Sequence, residues 1–282
     1  MHADGRETKF QLIGGKAPVI LLPATVNGTG PYNFILDSGA SHCLISDTLA
    51  ARLGISGETT EEAFGAGGAT QLLRATVDSV AVGSARQEKA PFLITPDLAS
   101  ISTALKTTVD GAIGCSLLKD FLVTLDYQRN IARFDSPADG KQRTEDGVFF
   151  VPFTTGPAEP LTLVHATVNG TGPFFFVVDT AAGRSVISPA VASRANVEIG
   201  AAAAGKGVGG QIQMGRAKLN SIRVGDVTVR DHLVVVGDFL GAISKAVGAE
   251  LDGIIGNNFL SEFRVTLDFV GQRLGLEPAG QI

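Results

Sequence analysis

The chain has 282 residues, and at roughly 150 residues per domain it predicts about two domains, each able to bury a core of its own. Hydrophobic residues make up 44% and charged residues 18%, which excludes a disordered chain and a polyelectrolyte. The net charge is -5, with Lys and Arg scattered singly, and this excludes the basic stripe of a nucleic-acid-binding protein.

The opening residues Met1-His2-Ala3-Asp4-Gly5 carry neither a basic nor an apolar leader region, so a secretory signal is either cut away or absent. The apolar run Val19-Ile20-Leu21-Leu22 predicts a strand, and Asn27-Gly28 supplies the left-handed dihedrals of a tight hairpin turn into a second strand over 32–36. Asn27-Gly28-Thr29 also fits a glycosylation sequon, but the turn is the favoured reading. Ser46 caps a short predicted helix over 47–53, stopped by Gly54. Strands are predicted over 77–82, 92–94 and 122–125, with a further short helix over 117–121 after Gly114. The longest apolar runs, 17–22 and 174–178, fall far short of the ~20 residues that cross a bilayer. Thirty-five glycines, twelve prolines and no Trp fit many turns between short elements, hence a mostly β fold. Cys43 and Cys115 are too few for a disulfide framework, and whether they pair stays open. Only four histidines are present, His2, His42, His165 and His232, no two of them close in sequence, so a zinc enzyme is not expected.

The second half restates the first. Val26-Asn27-Gly28-Thr29-Gly30-Pro31 recurs letter for letter as Val168-Asn169-Gly170-Thr171-Gly172-Pro173, an offset of 168 − 26 = 142. Asp37 and Asp179, Asp110-Gly111 and Asp252-Gly253, and Val123-Thr124-Leu125-Asp126 and Val265-Thr266-Leu267-Asp268 keep that offset. An ungapped register of this length means duplication. Two lobes are expected, over 1–135 and 148–282, joined by a polar connector over 136–147.

In each copy an aspartate ends an apolar strand: Phe34-Ile35-Leu36-Asp37-Ser38-Gly39-Ala40 and Phe176-Val177-Val178-Asp179-Thr180-Ala181-Ala182. A carboxylate there is costly to bury unless it is paired or shares a proton. Its repetition, each time before a small hydroxyl residue, predicts that the two aspartates meet across a pseudo-twofold axis. These motifs resemble those of aspartic proteases of the pepsin and retropepsin kind. So do the downstream segments Ala112-Ile113-Gly114 and Ile254-Ile255-Gly256-Asn257-Asn258. The likeness covers both halves. Pepsin lobes are longer and carry a flap tyrosine, whereas Tyr32 and Tyr127 are the only tyrosines here. The chain therefore looks like two retropepsin-like lobes fused in one polypeptide.

The resemblance implies a bilobal fold of two β-barrel-like lobes with one or two short helices each and a cleft between them. It implies an aspartic endopeptidase with Asp37 and Asp179 as the catalytic dyad, needing no metal and no cofactor. Two carboxyls about 3 Å apart share one proton, and water held between them attacks the peptide without a covalent intermediate. Ser38, Gly39, Thr180 and Ala181 would support the dyad. Ala40, Ser41, His42, Ala182, Gly183 and Arg184 would line the substrate, with Arg184 suited to an acidic side chain. The flaps would be the glycine-rich stretches holding Gly65, Gly67 and Gly68, and Gly207, Gly209 and Gly210. The expected partner is a peptide or unfolded protein and the expected state a monomer. The expected location is periplasmic or secreted, with the cytoplasm as the alternative.

Ala181 departs from the family glycine, and a methyl there would crowd the peptide or, at positive φ, strain the loop. It makes a weak or inactive peptide-binding protein the alternative function. A third reading, aspartates that merely cap turns, would leave them far apart. Gly205-x-Gly207-x-x-Gly210 matches a dinucleotide fingerprint in letters only, since an alanine run precedes it and the first copy lacks it. No Gly-x-Ser-x-Gly elbow supports a serine hydrolase.

Overall fold

The computed structural model describes residues 6–65, 68–137, 147–156, 160–200, 203–207 and 210–280. The chain is mostly β, and the 142-residue offset governs nearly every element. Helices Asp47–Arg52, Leu98–Leu105 and Cys115–Leu118 have counterparts Pro189–Arg194, Leu240–Val247 and Asn257–Leu260. Each lobe folds around an eight-stranded sheet. In the first lobe its order is Gln11–Ile13, Val19–Val26, Thr29–Leu36, Gly111–Ile113, Cys43–Ser46, Ala85–Thr95, Gly68–Val82 and Thr59–Gly65. Val19–Val26 also pairs with Gly68–Val82 through Thr25↔Ala81 and Val26↔Val80, which closes the sheet on itself. The second lobe repeats this order and this closure.

Local sequence explains the framework. Asn27 and Gly28, at φ 51 and 73, turn the chain so that Val26 faces Thr29, and Asn169 and Gly170 do the same at φ 49 and 81. Ser46 accepts a hydrogen bond from the Leu49 N–H (3.0 Å) and Ser188 from the Val191 N–H (3.2 Å), capping the helices predicted there. The helices after Gly114 and Gly256 begin and end earlier than their apolar runs suggest, at Cys115–Leu118 and Asn257–Leu260. Helices Leu98–Leu105 and Leu240–Val247 have no sequence forecast, because Leu98, Ile101 and Leu105, and Leu240, Ile243 and Val247, keep a helical i, i+3, i+7 spacing over only eight residues, too short a run to mark a helix by period. The forecast of one or two helices per lobe is thereby exceeded.

A six-stranded sheet joins the lobes, in the order Glu7–Lys9, Ile131–Asp135, Leu122–Asp126, Phe263–Asp268, Arg273–Pro278 and Phe149–Pro152. Its central strands are copies of each other. They pair antiparallel in the register Thr124↔Thr266, and 124 + 142 = 266, so each threonine faces its own duplicate with hydroxyls 3.3 Å apart. The pseudo-twofold axis passes between them. A continuous apolar core runs from Phe34 and Phe92 of one barrel to Phe174, Phe176 and Phe259 of the other. No helix among the described residues is long and apolar enough to cross a membrane, and no disulfide links the buried Cys43 and Cys115.

Candidate active site

Strand Thr29–Leu36 buries Phe34, Ile35 and Leu36 and then delivers Asp37; strand Thr171–Val178 delivers Asp179 in the same way. Each aspartate is anchored by a parallel neighbour, since its N–H donates to the carbonyl of Ile113 or Ile255, 3.0 Å in both lobes. The following glycine admits the loop. A Cβ on Gly114 would lie 2.2 Å from the His42 carbonyl oxygen, and one on Gly256 would lie 2.6 Å from that of Arg184. This close approach is the physical content of the Ile-Gly segments in both halves.

Ser38 and Thr180, both fully buried, tie the two loops across the axis. The Ser38 hydroxyl donates to the Val178 carbonyl (2.8 Å) and accepts from the Thr180 N–H (3.1 Å). The Thr180 hydroxyl donates to the Leu36 carbonyl (2.7 Å) and accepts from the Ser38 N–H (3.0 Å). Four reciprocal bonds thus lock Asp37 and Asp179 on either side of the seam. The Asp179 carboxyl lies hard against the first-lobe loop: a Cβ on Gly39 would come within 2.5 Å of its carboxyl carbon. The two aspartates belong to one site, which disposes of separate turn caps.

The electrostatics follow from this crowding. Burial, and after it the charge of Asp179, holds the Asp37 carboxyl well above the usual carboxylate range, against the opposing amides of Gly39 and Ala40. Burial also raises Asp179, while the amides of Ala181 and Ala182 pull it back. Two adjacent carboxyls that both resist ionisation form a coupled acid pair able to hold one proton at weakly acidic pH.

The remaining predicted residues occupy distinct places. Ala40 and Ala182 accept hydrogen bonds from the N–H groups of Cys115 (2.8 Å) and Asn257 (2.7 Å) through their carbonyls. Ser41 meets His42 Nδ1 at 3.1 Å, and His42 Nε2 lies 3.3 Å from Arg74 and 3.7 Å from Glu61. Gly183 packs on this chain's own N-terminal loop, where a Cβ would lie 2.3 Å from the Ala17 carbonyl oxygen. Arg184 is half-buried. Together with burial, its charge pushes His232 down to about 4. Gly65 pairs with Gly68 and Gly207 with Gly210 at the tips of two hairpins, while Gly67 and Gly209 lie outside the described residues. The first of these hairpins, Thr59–Gly65 with Gly68–Val82, leans across to helix Leu240–Val247 of the other lobe.

The structure adds residues that the motif does not disclose. Buried Asn257 donates through Nδ2 to the carbonyls of Thr180 (2.6 Å) and Pro18 (3.0 Å) and accepts from the Tyr127 hydroxyl (2.7 Å). It pins the second aspartate loop to the first lobe. Its counterpart Cys115 donates from Sγ to the Ser38 carbonyl (3.3 Å). Ser185, buried beside His232, accepts from the Gly256 N–H at 3.1 Å, as Cys43 Sγ accepts from the Gly114 N–H at 3.3 Å. The available signal was the run Gly256-Asn257-Asn258 after an apolar segment, where the first copy has Gly114-Cys115-Ser116.

A family model described as aspartyl protease matches residues 22–117 and, separately, 164–259. The chain belongs to the aspartyl protease family. The two matched spans differ by 164 − 22 = 142, so the family likeness and the internal repeat share one register. Among solved structures, the chain is similar to the aspartic proteinase from Irpex lacteus, with 15% identity, 97% of each chain covered and a TM-score of 0.57. At that identity the likeness shows the two-lobed aspartic proteinase fold. A search of curated proteins finds no match. Within the aspartyl protease family, peptide hydrolysis is the general activity that this fold and this membership support.

Proposed function

We propose that the chain is an aspartic endopeptidase of two fused retropepsin-like lobes that works as a monomer. In this reading it hydrolyses peptide bonds of extended segments through a water held between Asp37 and Asp179. The observation that carries the proposal is the reciprocal Ser38–Thr180 bonding, which brings two coupled carboxyls to one seam. The ionised carboxylate takes a proton from water, and the protonated partner donates a hydrogen bond to the scissile carbonyl. Attack gives a tetrahedral diol, whose collapse returns a proton to the leaving nitrogen. An extended peptide would lie between this floor and the glycine-tipped hairpins, bonded through its main chain. Arg184 supplies a half-buried cation beside the second aspartate loop, which supports a preference for an acidic side chain.

The second reading, a weak or inactive peptide binder, draws on Ala181. The structure moves the weight of that residue. Ala181 is not among the residues at positive φ, so the loop carries no left-handed strain. At the equivalent position the Cβ direction leads to the opposite carboxyl. The test is incubation of an unfolded protein and a peptide library across pH, with and without a pepstatin-type inhibitor. Inhibitable cleavage that is lost in Asp37→Asn and in Asp179→Asn is expected, and binding without cleavage in the parent chain would establish the second reading. Because burial holds both carboxyls up and Ala40 and Ala182 offer them no hydroxyl donor, the optimum is expected at weakly acidic to neutral pH. Activity confined below about pH 3 would contradict this.

A further inference from the structure

The two aspartate loops differ at one position that the pseudo-twofold relates, Gly39 in the first and Ala181 in the second (181 − 39 = 142). In the first loop glycine is sterically required. A Cβ on Gly39 would lie 2.5 Å from the Asp179 carboxyl carbon and 2.7 and 2.9 Å from its oxygens. Rotation about the axis carries that direction from residue 181 onto the Asp37 carboxyl, and there a methyl group is present. The Ala181 side chain packs on the first lobe's apolar cluster, whose members Ile35 and Ala112 sit on the strands beside Asp37. Two heavy atoms do not rest at 2.5 Å, so a symmetric arrangement would set the Ala181 methyl against the Asp37 carboxyl, and the two carboxyls are not equivalent.

The hydrogen bonds record this inequality. Asp179 Oδ1 accepts from the N–H groups of both Ala181 (2.7 Å) and Ala182 (3.0 Å). Asp37 Oδ1 accepts from Gly39 at 3.0 Å, while the Ala40 N–H, which also pulls on that carboxyl, is shared with the Asp37 main-chain carbonyl at 3.4 Å. Amide donors favour the anion, and a methyl packed on a carboxyl displaces water and disfavours it.

We infer that Ala181 is a positioning residue that makes the pair unequal, so that the shared proton rests on Asp37 and the negative charge on Asp179. The inference rests on the dyad reading above and gives it a direction. Asp179 becomes the base that takes the proton from water, and Asp37 the donor to the substrate carbonyl. Burial raises both carboxyls, so the pair keeps a proton for this asymmetry to place. Cys43, a further titratable group that feels Asp37, is kept a neutral thiol by burial.

Carbon-13 labelling of aspartate carboxyl carbons, followed by NMR across pH, reads each proton in place, with Asp37→Asn and Asp179→Asn assigning the two signals. In the parent chain Asp179 is expected to move to the carboxylate shift first, while Asp37 holds the protonated shift over the same pH range. In Ala181→Gly the two signals should draw together. A proton held on Asp179, equal titration in the parent chain, or an Ala181→Gly variant that changes nothing overturns the inference, and the parent spectrum alone decides if that variant misfolds. Turnover of an unfolded protein, measured on the same samples, separates the two layers. Cleavage with the proton on Asp179 sinks only the assignment. The predicted titration without any cleavage sinks the endopeptidase reading and leaves Ala181's role intact.

Discussion

Replacing Thr180 by valine keeps the side-chain shape and deletes one hydroxyl, which makes it a clean probe of the seam. The loss strips the Ser38 N–H and the Leu36 carbonyl of partners now at 3.0 and 2.7 Å, at a residue that is 0% exposed. Each buried polar group left unpaired costs about 1–3 kcal/mol, so the variant should be destabilised by about 2–6 kcal/mol. For a protein whose whole stability is ~5–15 kcal/mol that is a large fraction. Thr180→Ser keeps both bonds and sheds one methyl, at about 1 kcal/mol. Urea unfolding of the three proteins gives the comparison directly, provided the slope with denaturant stays constant. Because the same bonds fix the distance between the aspartate loops, kcat/KM should fall on the order of 10²-fold in Thr180→Val, while Thr180→Ser stays near the parent. A valine variant as stable and as active as the serine one would refute the idea that the hydroxyl grid holds the site.

Three further outcomes are expected. Gly39→Ala should lower kcat/KM on the order of 10²-fold, because its Cβ displaces an Asp179 carboxyl held by two amides; parental kinetics would contradict the packing. Asp37→Asn should gain stability relative to the parent as pH rises. An unfolded aspartate ionises near about pH 4, and the folded pair keeps its protons to higher pH. The parent therefore loses stability above that point and the neutral side chain does not. Unfolding at pH 4 and 7 checks the sign, and a gap that shrinks with pH defeats it. Thr162 is fully buried with no partner for its hydroxyl among the described residues, and its counterpart in the first lobe is Ile20. Thr162→Val should raise stability by about 1 kcal/mol in calorimetry, and a lower melting temperature would reveal a bond that the structure does not show.

Much of this architecture was legible in the sequence because the chain states it twice. Asn-Gly turns, Ser caps and apolar strands ending in aspartate each recur at one offset, and local rules read them correctly in both places. Helices Leu98–Leu105 and Leu240–Val247 escaped because three apolar residues spread over eight positions are too few to announce a helix; tertiary packing of that short stripe makes them. The supports of the site escaped for a different reason. Asn257 acts through Pro18, 239 positions away, and Tyr127, 130 positions away, and no local pattern encodes such partners. Ala181 was visible as an oddity, but what it faces became apparent only through Gly39, whose missing side chain outlines the opposite carboxyl.

The threonines that face each other at the seam mark the place where each half is its own reflection. A peptide has a beginning and an end, and a cleft of two identical walls grips it the same way whichever way it runs. Joining both walls in one chain lifted that constraint. Alanine opposite glycine, asparagine opposite cysteine and arginine opposite histidine are liberties that a self-matching pair could not take, and through them the enclosure gains a left and a right.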